Sequence, residues 1–296
     1  MKNLSRFLCL SATLLASACT QPIVAAIESD PAALQRFYAT AEVALINSGR
    51  MRTDYAPDDA PFTYDELVEN FTRVALYDEY TVTDGRYVER QTPTHLRRWE
   101  TPVRVATIFG ESTTADQKAH DRTAVRDYTA RLAGLTGLDM RVTDEASANM
   151  LVMFLTKPEQ QAFAATLPDR YPNIDGAVVD AFMNSPVNIF CAAFAFPVKG
   201  RTGEYGRSLI LIKGEHGDLM RQSCIHEEMA QAMGLSNDSR KARPSIFNDD
   251  EEFAFLTLHD EILMRMLYDP RLKTGMTVDQ VRPLLPQIAR DIADSY

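Results

Sequence analysis

The side chains best equipped for chemistry cluster between Cys224 and Asp238, where His226, Glu227, Glu228, Gln231, Asn237 and Asp238 fall close together. Ile225, Met229, Ala232 and Met233 recur at helical spacing, so this stretch predicts a helix, with Gly234 at its end. Glu227 and Gln231, at i and i+4, then project from one face, with Glu228 beside them. Two carboxylates and a carboxamide in that arrangement are either a general base with oxygen ligands for a cation or a set of polar groups bonded to one another. His226 has two readings, a partly exposed helix histidine or a catalytic one. A Cys224/His226 nucleophile pair is a further option, although neighbours at i and i+2 on a helix point apart.

The layout invites comparison with the zinc-peptidase helix His-Glu-x-x-His, in which two imidazoles bind metal and the Glu is the base. Starting the pattern at His226-Glu227 fails, because Ala230 occupies the second histidine position. One residue further on, Glu227-Glu228-x-x-Gln231-x-x-Gly234-x-x-Asn237-Asp238 resembles the metzincin pattern His-Glu-x-x-His-x-x-Gly-x-x-His/Asp, with the glycine in register. In that frame Glu228 stands at the general-base position. Glu227 and Gln231 replace the imidazole ligands, and Asn237 holds the third ligand position with Asp238 adjacent. Zinc sites draw on Cys and His, whereas carboxylate and amide oxygens suit Ca²⁺, Mg²⁺ or Mn²⁺. The expectation is therefore a hard divalent cation or no cofactor at all, and no zinc.

The N-terminus reads as an address. Lys2 and Arg6 precede the apolar run Phe7–Leu15, and Ala16-Ser17-Ala18-Cys19 resembles a bacterial lipobox, which implies removal of residues 1–18 and lipidation of Cys19. A plain signal peptide cut after Ala18 is the alternative. No Asp follows Cys19, which favours the outer membrane, facing the periplasm. Loss of Lys2 and Arg6 leaves 29 basic and 41 acidic side chains, net −12, which argues against nucleic acid as a partner. The expected contacts are the membrane, through the lipid, and an envelope protein or peptide. Cys191 and Cys224 then remain as an even pair in an oxidising compartment, the composition of a single disulfide.

The rest of the chain must position this cluster. Residues 19–98 read as a helical extension: an amphipathic helix over 31–47, a Pro/Asp-rich connector, a helix over 62–77 capped by Thr63 with Glu66, and a hairpin around Asp84-Gly85. From residue 99 to 296 the pattern alternates. Strands are expected over 103–108, 139–143, 149–155, 187–196 and 208–212, with a long helix over 115–135 between the first two. Another helix runs from about Leu256 to Tyr268, and a last one follows Thr277 with Gln280 as its capping partner. The fold class is α/β (α+β): a mixed sheet, one long crossover helix and a central helix beneath it, in zincin/metzincin-like order.

Four stretches carry a closer resemblance, to a domain-of-unknown-function family of bacterial lipoproteins. They are Arg97-Arg98-Trp99-x-x-Pro102-Val103, the Glu227–Asp238 motif with Cys224, Phe247-Asn248-Asp249, and Leu267-Tyr268-Asp269-Pro270 with Gly275-Met276. That resemblance covers about residues 30–290 and implies no activity. The metzincin resemblance, over about 97–270, implies a fold. Two functions follow from different classes. One is a degenerate metallopeptidase scaffold used as a binding or structural module. The other is a hydrolase or peptidase with an oxygen-ligated metal and Glu228 as base.

Overall fold

The computed structural model describes residue 27 and residues 30–296 except 85 and 249. The expected signal segment, Cys19, the hairpin-tip Gly85 and Asp249 of the third motif lie outside the described residues. Among the described residues, no helix is long and apolar enough to cross a membrane.

The sheet is built outward from β6 (Met150–Leu155), whose six residues are all buried. Met-Leu-Val-Met-Phe-Leu carries apolar groups on both faces because helices cover both, as in parallel sheets generally. β4 (Val103–Phe109) and β8 (Glu204–Lys213) flank it in parallel, with Thr107 and Ile210 both registered to Val152. β5 (Met140–Val142) extends the sheet beyond β4, and β7 (Cys191–Pro197) pairs antiparallel with β8. β3 (Arg98–Trp99) adds a short parallel pairing at Glu204–Tyr205. The order along the sheet is thus β5-β4-β6-β8-β7, with only the β7 pairing antiparallel. A separate hairpin, β1 (Tyr77–Thr83) and β2 (Arg86–Pro93), stands apart from it.

Two apolar layers sandwich the sheet. One joins Val105, Val152, Phe154 and Ile210 to the central helix, and to α3 (Ala115–Thr136) through Tyr128 and Leu132. It also takes in α2 (Tyr64–Leu76) through Leu67, Phe71 and Val74, spaced to face one way. The other joins Leu151, Met153, Leu209 and Leu211 to α4 (Lys157–Arg170) and α5 (Gly176–Asn184). Helix α1 (Pro31–Asn47) is capped by Asp30 and buries only Leu34 and Tyr38.

The observed elements differ from the expected ones at several points; β8, for one, starts at Glu204 and not at 208. The central helix, α6, runs Asp218–Ala232 and starts well before Cys224, because its first turns bury Met220 and a salt-bridged Arg221. β7 starts at Cys191 and not at 187, since the carbonyls of Ser185, Pro186 and Phe190 in the preceding loop bond to side chains. α4 and α5 fill residues 157–184, where no element was expected. The last helix divides at Pro283 into α8 (Val278–Val281) and α9 (Leu285–Ala293), after α7 (Leu258–Leu267).

Candidate functional site

α6 is held at three points. At its start the Met220 N–H donates to the Glu42 carboxylate of α1 at 2.8 Å, so a neighbouring helix supplies the anionic cap that Gly217 lacks. In its middle Cys224 forms a disulfide with Cys191, at the start of β7, with Cα atoms 5.9 Å apart. At its end the Trp99 indole N–H donates to the Ala232 carbonyl at 2.8 Å, and the Tyr268 hydroxyl to Met233 at 2.9 Å. Gly234, at φ +123°, lets the chain leave against β3, where a Cβ would collide with the Arg97 carbonyl.

This helix forms the floor of a cleft of about 930 Å³. Glu227, Glu228, Gln231, Ser236 and Asp238 line it from below, with β7 as one wall. Further walls come from α5, from the loop of residues 185–190, and from Asp78 and Arg86 of the hairpin. Three cationic or N–H donors fix that loop. The Lys157 ammonium donates to the Ser185 carbonyl at 2.6 Å, and the Lys213 ammonium to Pro186 at 2.6 Å and to the Tyr38 hydroxyl at 2.9 Å. The His216 Nε2–H donates to Phe190 at 2.8 Å. Burial, reinforced by Lys213 and Arg221, depresses the His216 pKa to about 3, so its ring is neutral.

The cluster expected from sequence is gathered in part. Glu227, Glu228, Gln231 and Asp238 share the cleft, where the Gln231 amide donates to Asp238 at 3.4 Å. Asn237, expected as a ligand, turns elsewhere. Its side-chain N–H donates to the Arg73 carbonyl at 2.8 Å and its backbone N–H to Val74 at 3.1 Å, tying the end of α6 to the end of α2. The residue is fully buried there and is not among those lining the cleft.

Among the described residues, two groups of side chains come close enough together to be tested as cation sites. Ligand atoms of Cys191, Glu227 and Glu228 lie within 4.8 Å of one another, but the Cys191 sulfur is committed to the disulfide, which leaves two carboxylates. His120, Asp121 and Asp218 form the second group. There the Arg221 guanidinium pairs with Asp121 at 3.1 Å and Asp218 at 3.0 Å, so a fixed cation already serves both carboxylates.

His226 belongs to the packing. Its ring stacks on Tyr128 at 4.2 Å and lies 4.7 Å from Phe255, while Nδ1 accepts the Leu256 N–H at 3.1 Å. That acceptor role places the proton on Nε2. Burial, with a smaller contribution from Arg131, holds its pKa at about 3.

Arg97 is a cleft residue that sequence reasoning missed. It pairs with Asp78 and donates to the Ser236 hydroxyl at 3.1 Å, joining the hairpin to the segment after α6. The Arg97-Arg98-Trp99 motif was visible in the sequence, but its parts divide. Arg98 is buried on the carbonyls of Leu267, Asp269 and Leu272, Trp99 holds α6, and only Arg97 reaches the cleft.

Comparison with known families matches residues 64–287 to a protein family of unknown function, DUF2927. The match takes in α2, the hairpin, the whole sheet and α6, and stops within α9. No curated protein matches the chain.

Proposed function

The chain belongs to the DUF2927 family, and we propose that it is a non-catalytic binding module on a metzincin-like scaffold, anchored in the cell envelope through a lipid on Cys19. The observation that carries this reading is the donor set facing the cleft: Glu227, Glu228, Gln231 and Asp238 supply oxygen and amide groups and no imidazole. The strand order β5-β4-β6-β8-β7, with β7 as an antiparallel edge and α6 following β8, supports the metzincin comparison. A zinc peptidase needs neutral imidazoles at that helix, and the histidine nearest the cluster, His226, is engaged by Tyr128, Phe255 and Leu256.

The test is metal content together with two variants. Purified protein is expected to carry no stoichiometric zinc and to leave casein-like substrates intact, with or without added zinc. Glu227→His combined with Gln231→His places two imidazoles one turn apart and should raise zinc uptake. Stoichiometric zinc in the natural protein, or hydrolysis abolished by Glu228→Gln, would replace this reading with that of a metal-dependent hydrolase using Glu228 as base.

A further inference from the structure

α1 is apolar around most of its circumference but covered on one side. Of its 17 residues, Arg36 and Glu42 alone are charged, yet Leu34 and Tyr38 are the two it buries. A helix of that composition is ordinarily enclosed. Its inner side is fixed by contacts. The Tyr38 hydroxyl accepts from the Lys213 ammonium, its ring lies 4.3 Å from His216, Leu45 packs on the core, and Glu42 reaches the Met220 N–H. Those contacts set the rotation of the helix.

Ala32, Arg36, Ala39, Val43 and Ile46 recur at steps of three or four on the opposite side, and all five are exposed. Val43 is 54% exposed and Ile46 45%. Elsewhere among the described residues, the strongly exposed aliphatic side chains, Val88 and Val142, stand singly on strands. The one charge on the outward stripe is the Arg36 guanidinium, 3.8 Å from Asp30 of the cap, in a chain of formal net charge −10. A face with an apolar body, one cation and no acid is the composition of a helix lying in a membrane interface.

We propose that this face of α1 rests on the bilayer that holds the Cys19 lipid, with Val43 and Ile46 entering the headgroup boundary and Arg36 meeting lipid phosphates. The inference rests on the lipid-anchor reading and specifies how the anchored domain sits. Eleven residues, 20–30, separate Cys19 from α1, and a chain of that length reaches at most about 40 Å. The lipid thus keeps α1 at high effective concentration near the surface, where a weak second contact suffices to fix orientation. Tyr38, on the inner side, lies 6.1 Å from Phe190. α1 therefore stands between the bilayer and the cleft wall formed by residues 185–190.

The test uses the full-length lipidated protein in vesicles of phosphatidylethanolamine and phosphatidylglycerol. Nitroxide labels are placed singly through Val43→Cys, Ile46→Cys and, on the far edge of the sheet, Val142→Cys; the native cysteines are occupied by lipid and disulfide. On vesicles, the ratio of oxygen to nickel-chelate accessibility should rise at least about threefold at 43 and 46 and stay unchanged at 142. Amides over residues 39–47 should gain protection from hydrogen exchange on vesicles. Val43→Glu with Ile46→Glu should abolish that gain while the lipid keeps the protein bound. Vesicle-bound protein whose labels at 43 and 46 stay open to the chelate overturns the docking and leaves the anchor standing. Labels shielded from both reagents before vesicles are added mean that residues 20–26 or a second copy cover the face, and overturn it too. Protein recovered without lipid on Cys19 overturns the anchor reading and this inference with it.

Discussion

His216 and His226 make the fold sensitive to mild acid, and the sign and size of the effect follow from their surroundings. Both rings are neutral in the folded chain, with pKa values lowered to about 3, chiefly by burial. An unfolded histidine titrates near 6.5, so between about pH 6.5 and 3 the unfolded chain binds more protons at these sites. Stability is therefore complete above about pH 7 and falls with acidification, by about 1.4 kcal/mol per pH unit for each ring. At pH 5 the loss is about 2 kcal/mol per histidine, a large share of a typical 5–15 kcal/mol total. Glu215 and Asp121, raised by burial, oppose the trend only nearer their own titration range. Urea unfolding of the oxidised protein from pH 8 to 5, at fixed ionic strength, measures the slope. His216→Gln keeps a side-chain N–H for the Phe190 carbonyl and removes the titration, so it should cut the slope by about half. It should also lower stability at pH 8, because the edge contacts with Tyr38 at 4.3 Å and Phe190 at 5.7 Å are lost. A stability that stays flat from pH 7 to 5, or a slope untouched by His216→Gln, would refute the reasoning.

Two other outcomes are expected. Non-reducing peptide mapping should recover Cys191 linked to Cys224, and replacing both by Ser should cost about 3–4 kcal/mol for a closed loop of this size, with a sequence separation of 33; free thiols in envelope-purified protein would contradict the pairing. Cys19→Ser should move the protein from the detergent-soluble membrane fraction to the soluble one, and an unchanged distribution would remove the lipid anchor.

Elements with strong local patterns were legible in the sequence. The capping box of Thr63 with Glu66 and the apolar run of β6 each describe their own structure. α4 was not legible: it buries Phe163, Ala164 and Leu167 but also Gln160, and it carries Pro168, so no clean apolar stripe marks it. The loop of residues 185–190 was hidden for a different reason. Its shape depends on Lys157, Lys213 and His216, which lie 26 to 28 residues away in sequence. Asn237 shows the limit of motif reasoning most directly. The pattern puts it at a ligand position, whereas a carbonyl 164 residues earlier takes its side-chain N–H.

The placement of the acidic cluster opposite β7 does not depend on the metzincin register. Cys224 is bonded to the first residue of β7, so the face of α6 that carries Cys224 is turned toward that strand. On a helix, residues at i+3, i+4 and i+7 share the face of residue i. From Cys224 those positions are Glu227, Glu228 and Gln231. A single disulfide and the helical repeat therefore suffice to aim all three side chains at the edge strand. Glu42 at one end of α6, with Trp99 and Tyr268 at the other, keeps the helix from sliding or rotating out of that alignment. Whatever occupies the cleft meets a fixed acidic floor and a strand edge together.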